Sequence, residues 1–282
     1  LTPDRLLLTA TRLGAAIGAI ALVAIVATLL EGAWPFLRDI GILPLWLDGQ
    51  WLPLGDPSRW GLAPILVGSA VLGLLTLAWV VPVGTLLALW ILVRDGSSSG
   101  RWANGGISLL TGVPSVVLGL WGLVVLVPQL GAFHPPGASL VAGALVLGLM
   151  ILPTYTLLAL DSMRSSMRKD GVAVLALGLD TIALWRLSLW PEGRRAFGRA
   201  ASLSLGRAFG ETMVVLMVCG NAIRMPDGLW SPIRTLTSHV ALEMAYAEGL
   251  HRSSLFVAGL ATMALSLVVA LPIVWGRSRS RS

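Results

Sequence analysis

Charge is what this sequence has least of. Only 12% of its 282 residues are charged, against roughly 25% in an ordinary soluble chain. Too few charges remain to solvate the surface of a compact globule. Lysine is almost missing: of 20 basic residues only Lys169 is lysine, and it follows Arg168. A Gly-x4-Gly-Lys-Ser/Thr phosphate loop is therefore excluded. The single cysteine, Cys219, lies in an apolar run, which rules out a disulfide framework or a cysteine metal cluster within the chain. It reads as a small buried hydrophobe. The three histidines, His134, His239 and His251, form no His-Glu-x-x-His pair, so no metalloprotease is encoded. Each reads as an interfacial or loop histidine. No catalytic constellation is visible, so we expect no enzyme activity in this chain and no cofactor or metal.

What the sequence has in abundance is apolar length. Hydrophobic residues make up 56%, and six stretches approach the ~20 apolar residues that carry a helix across about 30 Å of hydrocarbon. They run over 13–30, 62–93, 106–130, 138–160, 201–223 and 253–275. The second exceeds the need of one span and contains Pro82, which predicts a kink. The first follows Arg5 and Arg12 but is long for a signal peptide and lacks a small-residue cleavage site, so we read a retained helix. The expected class is all-α: a polytopic membrane protein with about six transmembrane helices.

The net charge of +6 then bears on membrane sidedness rather than on nucleic acid. With the N-terminus inside, alternate segments hold 14 basic residues on the inner side. The outer side holds Arg38, Arg59, Arg224, Arg234 and Arg252, and Arg207 lies within a span. This bias places both termini in the cytoplasm. The outer segment 32–60 carries Trp34, Trp46, Trp51 and Trp60, rings expected at headgroup level. The segment 161–200 is the largest inner one. It holds Arg164, Arg168, Lys169, Arg186, Arg194, Arg195 and Arg199 against Asp161, Asp170, Asp180 and Glu192. Val172, Leu175, Leu179, Ile182 and Leu187 recur near helical spacing, predicting an amphipathic helix pair. Such a pair either lies on anionic lipid or docks a soluble partner. The short basic tail 277–282 reads as a membrane-exit segment.

Three blocks resemble a known family. Val172-Ala173-Val174-Leu175-Ala176-Leu177-Gly178, followed by Ser188-Leu189-Trp190-Pro191, resembles the Glu-Ala-Ala-x3-Gly loop of ABC importer permeases. Gly178 and Pro191 stand in its register; Val172 replaces its glutamate. The run from Leu205 through Gly206-Arg207-Ala208-Phe209-Gly210-Glu211-Thr212-Met213 to Gly220-Asn221 resembles a stretch of phosphate permease subunits, the C-type in particular. Pro114-Ser115-Val116-Val117-Leu118-Gly119-Leu120-Trp121 resembles another stretch of the same subunits. The resemblance covers roughly 62–275. It implies an N-terminal helix and Trp-rich loop over 1–61, a permease core over 62–276, and a coupling loop over 161–200. In that loop Ala173, Gly178, Asp180 and Pro191 meet an ATPase, Gly178 turning the chain and Pro191 ending the second short helix. The implied partners are a second permease subunit, a pair of cytoplasmic ATP-binding subunits and a phosphate-binding protein, at a bacterial cytoplasmic membrane. ATP would be hydrolysed by a separate polypeptide.

The residues themselves point the same way. Arg207 and Glu211, four apart in an apolar helix, are expected to share one face. An intramembrane charge costs at least ~2.5 kcal/mol, so it marks a pathway or a partner. Either the two neutralise each other and pin helices together, or Arg207 offers its guanidinium fork to an oxyanion while Glu211 positions it. Ser202, Gly206 and Gly210 recur every four residues, a spacing that lets helices approach closely, between subunits or within one. Pro114 and Ser115 are positioned to break the third span. The alternatives are a permease for sulfate, molybdate or tungstate, or a non-transporting membrane scaffold.

Overall fold

The computed structural model describes residues 3–168, 176–178 and 181–278. Helix α1 (Pro3–Asp39) leads through the short α2 (Leu43–Leu47) to a hairpin of β1 (Trp51–Leu52) and β2 (Arg59–Trp60). Helix α3 (Ala63–Val93) follows and stays helical through Pro82. Next come α4 (Ser98–Leu110), α5 (Ser115–Phe133, with a π turn over Gly122–Leu126) and α6 (Leu140–Ser166). Further on, α7 (Thr181–Leu184) enters a π turn (Trp185–Leu189) and then α8 (Trp190–Phe209). The chain ends with α9 (Met213–Val218), α10 (Leu236–Glu243) and α11 (Gly249–Ser278).

Five helices, α1, α3, α5, α6 and α11, are long and apolar enough to cross a membrane. The third and fifth predicted spans are not continuous helices. The third, 106–130, breaks at Thr111–Pro114, where Pro114 holds extended backbone (φ −61°, ψ 136°) and α5 begins at Ser115. Proline restricts the residue before it to extended geometry and donates no amide, so the helix stops as expected there. The fifth, 201–223, breaks between Phe209 and Met213.

Helix α6 is the best enclosed of the spans. Leu147, Ile151 and Tyr155 of α6 meet Leu72 and Val80 of α3, Leu205 and Phe209 of α8, and Val214 and Val218 of α9 in one buried cluster. Trp79 of α3 lies over Gly148, where an added Cβ would come within 2.0 Å of the indole, and donates from Nε1 to the Ala144 carbonyl at 3.1 Å. Lipid is as apolar as leucine, so close approach of this kind, not expulsion of apolar surface, holds membrane helices together.

A second buried cluster gathers Ala33 and Phe36 of α1, Trp51 and Trp60 of the hairpin, Leu236 of α10, and Leu255 and Ala258 of α11. The hairpin pairs Trp51 with Trp60, and Phe36 meets the Trp60 ring edge-on at 5.2 Å. This corrects the expected aromatic belt: Trp34 and Trp46 are exposed, whereas Trp51 and Trp60 are core. Residues 7–25 of α1 are exposed, and none of its most apolar window is buried.

The expected docking segment is described only in part. Ala173 and Asp180 lie outside the described residues. Gly178 holds φ +73°, a left-handed geometry that suits glycine. Pro191 does not end a helix as expected. It sits in the first turn of α8, directly after the π turn and with helical backbone before it. His239 and His251, read as interfacial or loop residues, are buried.

Candidate substrate path at a broken helix

The seam between α8 and α9 places the charged residues, and it differs from the single helix expected. Gly210 closes α8, donating to the Gly206 carbonyl at 3.3 Å, and Glu211 donates from its amide to Ala208 O at 3.2 Å. The chain then re-enters helix at Met213. Glu211 turns its carboxylate forward: Oε1 accepts from the amides of Met213 at 3.2 Å and Val214 at 3.3 Å. These are orphan donors at a helix start, which a carboxylate satisfies well.

Arg207 faces elsewhere. Its Nη1 donates to Thr154 Oγ1 of α6 at 3.1 Å, and among the described residues no carboxylate lies in ion-pair range of it. The expected Arg207–Glu211 pair on one helix face is therefore absent, because the helix ends between the two. Thr154 is the fifteenth residue of the 27-residue α6, so Arg207 reaches the middle of that helix, about 21 Å along it at 1.5 Å per residue. The guanidinium is exposed. One hydroxyl engages one nitrogen, and the remaining donors form a fork suited to an oxyanion.

Beside it, a Cβ added at Gly206 would meet nothing within 4 Å, and at Gly210 only carbonyls of the same turn. Ser202 is half-buried and Leu203 exposed. Among the described residues the small-residue face is thus open at Gly206 and Gly210 and partly covered at Ser202.

Helix α9 is held at both ends. Thr237 Oγ1 donates to Glu211 O at 2.7 Å. At the far end Gly220 (φ +82°) and Asn221 (φ +54°) turn the chain sharply, with Asn221 Nδ2 on Leu216 O at 2.6 Å. A Cβ at Gly220 would sit 2.7 Å from Pro232 Cβ, so both the turn and the packing exclude other residues there. Ile233 donates to Cys219 O at 2.9 Å and Arg234 Nε to Asn221 O at 3.0 Å.

Arg234 leads to a buried charged cluster that sequence reasoning did not single out. Glu243, 4% exposed, accepts from Arg234 Nη1 at 2.7 Å and Trp51 Nε1 at 2.8 Å, and bonds His251 Nε2 at 2.8 Å. Burial works against the Glu243 charge, but His239, His251, Trp51 and Arg234 outweigh it and hold the carboxyl below its ordinary range. His239 is pushed down to about 4, by burial first and then by Arg234 and His251, against the pull of Glu243. The i,i+4 spacing of His239 and Glu243 was legible; the 192-residue jump to Trp51 was not.

Five apolar helices among the described residues, a sixth apolar segment in two pieces and an arginine that reaches the middle of α6 make this a multi-pass membrane protein. No family model matches the chain. It is 32% identical over 239 residues to a probable ABC transporter permease protein, YqgH of Bacillus subtilis, covering 82% of this chain and 76% of the relative. It is 28% identical to the phosphate transport system permease protein PstC of Mesorhizobium japonicum, over 94% of this chain and 87% of the relative. With PstC of Pasteurella multocida the identity is 29%, over 88% and 83%. Among solved structures, an amino acid ABC transporter crystallised with histidines superposes with a TM-score of 0.51 at 16% identity, over 77% of this chain and 92% of that one; the likeness is one of fold. The chain belongs to the permease proteins of ABC transporters, in the group that includes the PstC proteins.

Proposed function

We propose that this chain is the transmembrane permease subunit of an ATP-driven importer that carries inorganic phosphate across the bacterial cytoplasmic membrane by alternating access. The observation that carries this reading is the exposed Arg207, half-way along α6, held by a hydroxyl and by no carboxylate among the described residues. A guanidinium left with open donors at that depth needs an anion. The names of the PstC relatives favour phosphate over sulfate, molybdate or tungstate. They also speak against a non-transporting scaffold.

In this reading the face of Ser202, Gly206 and Gly210, open at its two glycines, receives a second permease subunit, so that Arg207 lies at the junction of the two. The segment 161–200, with Gly178 at its turn, meets a pair of cytoplasmic ATP-binding subunits, and a phosphate-binding protein delivers substrate at the opposite side. Both termini are cytoplasmic, as the basic-residue bias requires. Glu211 shapes the seam by capping α9 and does not pair with Arg207.

Phosphate uptake in cells lacking other phosphate importers, corrected for the amount of assembled complex, tests the reading. Arg207→Lys should fail along with Arg207→Gln, since lysine keeps the charge but loses the fork. Full uptake by either variant would remove Arg207 from the path.

A further inference from the structure

The buried cluster around Glu243 joins parts of the chain that its connectivity leaves separate, and the path just proposed does not use it. Trp51 belongs to the hairpin, Arg234 and His239 to the segment of α10, and His251 to the first turns of α11. All converge on one carboxylate. Oε2 takes the Trp51 indole and His251 Nε2, both at 2.8 Å; Oε1 takes Arg234 Nη1 at 2.7 Å. His239 Nδ1 stands further off, at 3.6 Å from Oε1, with its ring edge-on to Trp51 at a centroid distance of 4.5 Å.

From this hub the bonding runs on to α9. The same guanidinium that meets Glu243 donates through Nε to Asn221 O, and Thr237, in the first turn of α10, donates to Glu211 O. Leu236 N donates to Ser69 Oγ of α3 at 2.9 Å. The segment 233–237 thus grips α9 at its first and last turns, and Glu243 fastens that grip to the hairpin. An isolated buried carboxylate is unfavourable unless its partners are held in place. Here they come from three stretches of chain, so the charge is satisfied only while all three stay together.

We infer that Glu243 is a positioning residue that makes the hairpin, α10 and α9 one body at the mouth of the path, against which α8 and Arg207 move. The inference rests on the transport reading above. In it, the break at Gly210–Thr212 is the seam between that body and α8. A glutamine at 243 keeps the shape but removes the charge that Arg234 is paired with. The hairpin and the 221–232 segment should then lose their fixed relation although every apolar contact remains.

The test places spin labels on cysteines introduced at the exposed Leu54, in the hairpin turn, and at Met225, beyond α9, in a Cys219→Ser background. A second labelled protein pairs Leu54 with the exposed Leu203 of α8. Distances are read in the purified complex with its partner subunits, nucleotide-free and trapped with ATP and vanadate. The 54–225 distance should be narrow and unchanged between the two states, while the 54–203 distance shifts. Glu243→Gln should broaden the 54–225 distribution and lower phosphate uptake at least tenfold in a complex assembled in normal amount. Trp51→Phe, which removes one bond and leaves the ring, should broaden the same distance in a milder form and guards against failure of the first variant to assemble. A 54–225 distance that changes between states in the unaltered protein overturns the inference, as does a narrow distribution in both variants. A complex that moves no phosphate but shows these distances would refute the substrate and leave the single body standing.

Discussion

Because α8 ends at Phe209 and Glu211 caps α9, Arg207 and Glu211 should behave as independent residues. Glu211→Ala removes the acceptor of two backbone amides at a helix start, a loss of about 0.5–2 kcal/mol. Glu211→Gln retains an amide oxygen in the same place and should lose less than the alanine variant. Arg207→Gln gives up one hydrogen bond at an exposed side chain, so its effect on stability should stay within about 0.5 kcal/mol. The coupling in a double-mutant cycle should likewise not exceed ~0.5 kcal/mol. A mutual ion pair gives a different pattern: breaking a buried one costs roughly 3–5 kcal/mol, and removing both charges recovers much of it. The assay is thermal unfolding of the purified complex, with uptake measured beside it. In the predicted outcome Arg207→Gln with Glu211→Gln is no better in uptake than Arg207→Gln alone. Recovery of uptake or stability in the double variant would refute independence and restore the pair.

Gly178→Leu forces a side chain into left-handed backbone at a cost of about 1–2 kcal/mol; it should uncouple ATP hydrolysis from uptake while the protein still reaches the membrane, and unchanged uptake would exclude the segment from coupling. In a Cys219→Ser background, a cysteine at Leu54 should react with impermeant reagent outside intact cells and one at Ser165 should not; the reverse pattern would invert the topology. Acid should destabilise the complex. His239, held near 4 against an ordinary value near 6.5, takes up its proton more readily when unfolded, so stability falls as pH drops from 6.5 to 4. Glu243, depressed beside Arg234, His239 and His251, adds a further loss as pH falls through its folded value. His239→Gln should flatten the 6.5-to-4 part of a melting-temperature profile, and an unchanged slope would assign it to other groups.

Much of the fold could be read from composition, because apolar runs of spanning length have few alternatives in so sparsely charged a chain. Pro114 marked the third-span break for the same reason: one missing amide fixes a local outcome. The break after Phe209 was harder to see. Ser202, Gly206 and Gly210 read equally well as packing positions along one helix, and nothing local says that Glu211 will turn forward to Met213 rather than back to Arg207. The expected Trp belt lost two of its four rings for a related reason. Trp51 and Trp60 have the composition of headgroup anchors, and only a distant carboxylate, Glu243, makes burial of the Trp51 indole favourable. Arg207 was legible by its charge alone; Thr154, its partner, carries no signal in an apolar helix.

The exposed half of α1 makes the chain responsive to the bilayer itself. From Leu7 to Asp39 the helix has 33 residues, about 50 Å at 1.5 Å per residue, against roughly 30 Å of hydrocarbon. Its far end is pinned, since Ala33 and Phe36 are locked against the hairpin and α11. Any mismatch must therefore be taken up at the N-terminal end, by tilt or by emergence from the membrane. A thinner membrane would lean this helix further over, and the lean would pivot on the contact of Ala33 and Phe36 with the hairpin and α11.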